Sequence, residues 1–120
     1  MAKINNQQDL DKLFEAFANK HRREIIYLLS LQPYSISYLA SIRNLSLPAI
    51  HKHIKILVNA HLIIRKKIGR TNFLALNRNS LRGLQKWLNQ FHTYWGSNEE
   101  TLDNYVQYLS KKIPKKKEKK

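Results

Sequence analysis

The stretch Ser46-Leu-Pro-Ala-Ile-His-Lys-His-Ile-Lys-Ile-Leu-Val-Asn-Ala60 decides the fold. Leu47, Ile50, Ile54, Leu57 and Val58 recur at helical spacing and predict one apolar stripe. Ser46 is a good N-cap, because its hydroxyl can accept from the N–H groups that open a helix. Pro48 falls in the first turn, where a missing N–H costs little. The other faces carry Ala49, His51, Lys52, His53 and Lys55, so the outer side is basic. Just upstream, Ser35 to Arg43 predicts a shorter helix capped by Ser35 or Ser37, with Leu39, Ala40 and Ile42 facing inward, and Asn44-Leu45-Ser46 reads as the turn. Two helices joined by so short a turn, the second with a basic outer face, form a helix-turn-helix candidate.

Upstream, Leu10, Leu13, Phe14, Phe17 and Ala18 predict a helix from Asp9, interrupted at Asn19-Lys20. Ile25, Ile26, Leu28, Leu29 and Leu31 predict a second, ended by Pro33, whose ring cannot continue the hydrogen-bond ladder. Downstream the period changes. Residues 62–68 and 71–76 predict two strands around a tight Gly69-Arg70 turn. After Asn79-Ser80, Leu81, Leu84, Trp87, Leu88, Phe91 and Trp95 restore helical spacing, which resumes at Leu102, Tyr105, Val106 and Leu109. One long helix with a weak point at Gly96 is the favoured reading. Two helices is the other, with Ser97 and Glu100 matching a capping box. The fold class is therefore mainly α with a small β-hairpin: a winged helix-turn-helix with a long C-terminal helix. Residues 1–8 are expected to be a flexible N-terminus, 9–113 the DNA-binding and dimerisation domain, and 114–120 a basic disordered tail after Pro114.

The chain has 120 residues with 22 Lys and Arg against 8 Asp and Glu, a net charge of +14. No acidic residue stands between Ile25 and Asn98. A surface built only for solubility normally intersperses both signs, so the pattern points to a polyanion partner. A helix fits the major groove of B-DNA, and a hairpin beside it reaches the phosphates or the adjacent minor groove, where Arg70 at the tip is suited to bind. Cysteine is absent, which excludes disulfides, thiol nucleophiles and thiolate metal sites. No Gly-rich phosphate loop, central carboxylate pair or Ser/His/Asp arrangement is present, so no enzyme is expected. No apolar run approaches the roughly 20 residues of a bilayer span. The opening residues also lack the apolar stretch of a signal peptide, so a cytoplasmic protein without a membrane partner is expected.

Three segments resemble the ArsR/SmtB-type winged-helix repressors over roughly residues 10–95. They are Ala18-Asn-Lys-His-Arg-Arg-Glu-Ile-Ile-Tyr-Leu-Leu29, then Leu45 through Ile63, and Lys66-Lys-Ile-Gly-Arg70 with Phe73-Leu-Ala-Leu76. The recognition-helix segment is the most specific. The Leu-Pro-Ala variant and the later tryptophans are similar to a branch without cysteine metal sites. His51 departs from the family's usual serine, and His61 from the usual glycine after the helix, where φ > 0 is needed; histidine tolerates that region better than most residues.

The resemblance implies a homodimeric double-stranded-DNA-binding regulator, expected to repress by covering a promoter. The candidate DNA contacts are Ser46, Pro48, Ala49, His51, Lys52 and Lys55 on the recognition helix, with Arg65, Lys67, Arg70 and Thr71 on the wing, where Lys66 also lies. Lys52 and Lys55 are expected to hold phosphates, Ala49 or His51 to meet base edges. His53 matches a family histidine that packs near the helix core. Arg22 and Arg23 begin the second helix and are open between a DNA contact and a bland role, either surface-exposed or pairing with Glu24. Six of the twelve aromatic residues fall in residues 87–108, more than a small domain hides alone. The candidate dimer interface is Leu10, Leu13, Phe14 and Phe17 with Trp87, Phe91, Trp95, Leu102, Tyr105 and Leu109. No metal or other cofactor is expected. His51 and His53 lie about 200° apart around a helix and cannot share an ion, and the remaining histidines lack acidic partners at ligand spacing. Two further readings fit the same charge: a nucleoid-type protein that coats DNA without choosing a sequence, and a protein–protein adaptor. The sequence identifies no effector.

Overall fold

A computed structural model describes residues 7–91 and 98–112 of the chain. The element order is α1 (Gln7–Phe17), α2 (Lys20–Leu31), β1 (Tyr34–Ser35), α3 (Ile36–Arg43), α4 (Leu47–Asn59), β2 (Ile63–Ile68), β3 (Thr71–Leu76), α5 (Arg78–Asn89) and α6 (Asn98–Lys112). This is a winged helix-turn-helix. The chain divides into two compact units, residues 1–87 and 88–120.

In the first unit, Leu10, Leu13 and Ala16 bury one stripe of α1. Asn19 is more than an interruption: its Oδ1 accepts from the backbone N–H of His21 (2.8 Å) and Arg22 (3.3 Å), capping α2. Ile25 and Leu29 of α2, Leu39 of α3, Ile50, Ile54 and Leu57 of α4, Leu62 and Leu74 form the fully buried centre.

The sequence signalled a hairpin, and the structure has a three-stranded antiparallel sheet of order β1-β3-β2. Tyr34 pairs with Leu74 and Ser35 with Phe73. A two-residue strand is too short for any periodicity to show. Ser35 also caps α3, its Oγ accepting from the Tyr38 N–H at 3.1 Å. Ile42, expected inward, is 41% exposed. Ile36, Leu39 and Ala40 set the buried stripe, and at about 100° per residue Ile42 lies about 110° from its centre. Leu47 is likewise out of the core, 51% exposed at the first turn of α4.

Two helices end on left-handed residues that are not glycine. After α3, Asn44 (φ 56°) places Leu45 N–H on Ala40 O and its own N–H on Ser41 O. After α4, His61 (φ 61°) does the same with Leu62 N–H on Leu57 O and its own N–H on Val58 O. Both are Schellman closures. The His61 carbonyl is held by Asn77 Nδ2 at 2.8 Å and by the Ser80 hydroxyl. In the wing, Ile68 pairs with Thr71 across Gly69-Arg70, and only Gly69 has positive φ (62°), the sign pattern of a type II′ turn.

Of the two readings of the last third, two helices is what the structure has: α5 stops at Asn89, with Phe91 N–H on Leu88 O. Trp95, Gly96, Ser97, Pro114 and the tail lie outside the described residues. In the second unit, α6 carries Leu102, Tyr105, Val106 and Leu109 at i, i+3, i+4, i+7; the first three are 67%, 44% and 51% exposed.

Candidate nucleic-acid interface

The interface begins with the orientation of α4. Its N-cap Ser46 accepts from Ala49 N–H at 3.2 Å, and Pro48 sits in the first turn, so the helix head is fixed by local chemistry. Burial of Ile50, Ile54 and Leu57 then sets the rotation. At about 100° per residue, Pro48, His51, Lys52 and Lys55 share an arc of about 100° on the other side. All four are exposed, as is Ser46, while Ala49 is half-buried.

Strand alternation sorts the wing. The β2–β3 register runs from Ile63↔Leu76 to Ile68↔Thr71. Ile63, Leu74 and Leu76 are buried, so the same face carries Arg65, Lys67 and Asn72. Ile64, Lys66 and Ile68 take the opposite face. Arg65, Lys67, Arg70 and Thr71 are exposed. None of the side chains of Lys52, Lys55, Arg65, Lys67 and Arg70 forms a hydrogen bond or ion pair among the described residues. Cations unpaired among the described residues, in a stretch of sequence without carboxylates, give a positive field with little local compensation.

The head of α4 and the wing tip meet in one cleft, lined by Ile36, Ser37, Leu47, His51, Arg70, Thr71 and Asn72. The structure thus brings His51, Arg70 and Thr71 together, three of the residues singled out from sequence. It adds Leu47 and Asn72, which the sequence pattern did not mark as site residues. Asn72 was legible: it alternates with the buried Leu74 and Leu76. The exposure of Leu47 was not, since its spacing matches the core stripe.

Behind α4, the arginines of α2 bond to the end of α1 rather than to Glu24. Arg22 is buried, 8% exposed. Its Nε donates to Ala16 O at 3.0 Å and its Nη2 to Glu15 O at 2.9 Å. Arg23 stays at the surface, but its Nη1 donates to Phe17 O at 2.7 Å. These are last-turn carbonyls of α1: Glu15 O also accepts from Ala18 N–H at 3.1 Å, while Ala16 O and Phe17 O lie past the last intrahelical donor, and a cation there is favoured by the negative end of the helix dipole. The third Arg22 nitrogen, Nη1, lies 3.1 Å from Nδ1 of His53. Burial first, then Arg22, then His21 lowers the His53 pKa below its ordinary 6.5. No three His, Asp or Glu side chains converge as a metal site among the described residues.

The aromatic and apolar candidates divide. Leu10 and Leu13 are buried within the protomer, so the exposed part of that stripe is Phe14 at 43%, with Phe17 half-buried. Phe14 meets Trp87 edge-on at 5.3 Å between ring centroids. Phe91 is 64% exposed and Leu109 half-buried. Among the described residues, no helix is long and apolar enough to cross a membrane.

Known proteins share this geometry. The family model described as bacterial regulatory protein, arsR family, matches residues 19–65, from the cap of α2 into β2. An HTH-type transcriptional regulator of Mycobacterium tuberculosis, Rv2034, is 30% identical over 99 residues, spanning 82% of this chain and 87% of that protein. The crystal structure of an ArsR family transcriptional regulator matches with a TM-score of 0.67 at 25% identity, over 95% of this chain and 100% of that one. HlyU from Vibrio cholerae matches with a TM-score of 0.59 at 25% identity, over 71% and 92% of the two chains.

Proposed function

The chain belongs to the arsR family of bacterial regulatory proteins and is a DNA-binding transcription regulator; from that premise we propose that it is a homodimeric, cytoplasmic repressor that reads a specific site in double-stranded DNA. The observation that carries the reading is the cleft where the head of α4 meets the wing tip, with His51 and Arg70 on one continuous surface free of carboxylates. In this reading α4 enters the major groove. Lys52 and Lys55 hold phosphates, while Ala49 and His51 face base edges, and Ser46 and Pro48 bring the helix head to the backbone. Arg65, Lys67, Arg70 and Thr71 carry the wing along the flanking phosphates and minor groove.

A second copy supplies the second half-site. Exposed Phe14 in the first unit, and exposed Phe91, Leu102 and Tyr105 in the second, support contacts between copies, and half-buried Phe17, Trp87 and Leu109 are further candidates. A two-fold dimer demands an inverted repeat with half-sites about 34–36 Å apart. Residues 9–113 are the working body in this proposal. Repression is steric: the dimer covers promoter DNA that polymerase needs.

The test is capture of fragmented genomic DNA from the source organism at about 150 mM salt, where purely ionic binding is weakened. A few sharp peaks sharing an inverted repeat, with a solution mass twice 14.2 kDa, support the reading. Even coverage of the genome removes sequence specificity, and a monomeric mass removes the dimer.

A further inference from the structure

The contact between Arg22 and His53 lies behind α4, away from the proposed DNA-contacting residues. It joins three helices: Arg22 on α2 holds two carbonyls of α1 and faces His53 on α4 at 3.1 Å. A guanidinium has donors only, so Nδ1 of His53 has to be the accepting nitrogen, and the ring proton sits on Nε2. The same constraint applies next door. Nη2 of Arg43, on α3, lies 3.1 Å from Nδ1 of His21, and the His21 and His53 rings stand 5.6 Å apart. Among the described residues, Arg43 Nε is buried without a hydrogen-bond partner. The groups facing His53 are therefore backbone carbonyls from α1 through Arg22, then Arg22 and His21 from α2, with Arg43 of α3 behind His21. No carboxylate bonds to any of these four side chains among the described residues.

We propose that Arg22 and His53 are the positioning pair of the recognition helix, tying α4 to the end of α1 only while the His53 imidazole is neutral, so that acid loosens α4 and weakens DNA binding. The proposal rests on the DNA-binding reading above. Protonating Nδ1 would set N–H against N–H and add a cation to a cluster of two arginines to which no carboxylate bonds among the described residues. The burial and the neighbouring charges that lower the His53 pKa act in the same direction. With the folded pKa below 6.5, folding favours the neutral ring. The contribution of His53 is complete above 6.5 and is lost as the pH falls through its lowered value in the folded chain. Simple electrostatics has the opposite sign, because acid adds positive charge to a protein that binds a polyanion and tightens the complex. The direction of the pH response therefore separates the two.

The experiment compares wild type, His53→Asn and His53→Ala. Asparagine places a non-titrating oxygen acceptor where Nδ1 stands; alanine places nothing. Each is titrated onto a labelled duplex of about 30 base pairs carrying the recovered inverted repeat, from about pH 7.5 to about pH 5 at constant ionic strength. The wild type is expected to weaken about tenfold or more toward acid, the scale of a lost hydrogen bond to a charged group. His53→Asn is expected to match wild type at the upper end and stay level, and His53→Ala to be weak throughout. Should His53→Ala fail to fold, the asparagine variant carries the test. Wild-type affinity that holds or rises in acid, or an asparagine variant that falls in parallel, overturns the proposal. If no duplex binds at any pH, the specific-site reading fails, and the ring-nitrogen NMR spectrum decides the pair alone. An unprotonated Nδ1 at neutral pH, with α4 amide shifts following the His53 titration, upholds it; a protonated Nδ1 overturns it.

Discussion

The cations of this chain do opposite jobs on the two sides of α4. Behind it, Arg22 is buried and its three nitrogen groups meet two carbonyls and an imidazole. In front, Lys52, Lys55, Arg65, Lys67 and Arg70 are exposed and their side chains bond to nothing among the described residues. The same charge is structural in one place and available in the other. What differs is the supply of acceptors: the end of α1 offers orphan carbonyls, while the front face lies in a stretch without a single carboxylate.

The sharpest way to test that contrast is to remove one cation from each side. Arg22→Ala should lower unfolding free energy by about 3 kcal/mol, since Ala16 O loses its donor in a buried site, Glu15 O keeps only the Ala18 N–H, and His53 loses its partner; urea melts measure it. A loss below about 0.5 kcal/mol, the range of surface changes, would erase the distinction. On the front, Lys52→Ala and Arg70→Ala should each weaken duplex binding about fivefold to tenfold near 150 mM salt and make the salt dependence shallower by about one charge. Their melting curves should stay within about 0.5 kcal/mol of wild type. Stability losses as large as that of Arg22→Ala would place these residues on the structural side. Ser46→Ala should cost about 1 kcal/mol through the lost cap and blur both sides at once, because Ser46 fixes the helix that separates them. The smallest change runs the other way. His61→Gly should stabilise by about 0.5 to 1 kcal/mol by relieving the left-handed backbone. Thermal melts showing destabilisation would mean that the His61 side chain contributes contacts worth more than that strain.

Most of the fold was legible because it rests on local rules. The stripe of Ile50, Ile54 and Leu57, the Ser46 cap and the Gly69-Arg70 turn are each determined within a few residues, and the structure has them all. The front-face cations could be found from charge alone. Leu47 and Ile42 show where spacing misleads: both fit an apolar period, yet one overhangs the first turn of α4 and the other lies off the stripe of α3. Trp95 and Gly96 lie outside the described residues, whereas the end of α5 at Asn89 answers the question of a continuous helix.

By itself, the sequence determined most helix periods, the Ser46 cap, the hairpin and a basic, acid-free centre, because each depends on neighbours close along the chain. Only the tertiary structure decided that β1 joins the wing as a third strand, that the head of α4 and Arg70 share a cleft, and that Arg22 reaches His53 across 31 positions. Such meetings depend on how the helices pack, and no local period records which side chains that packing will bring within hydrogen-bond reach.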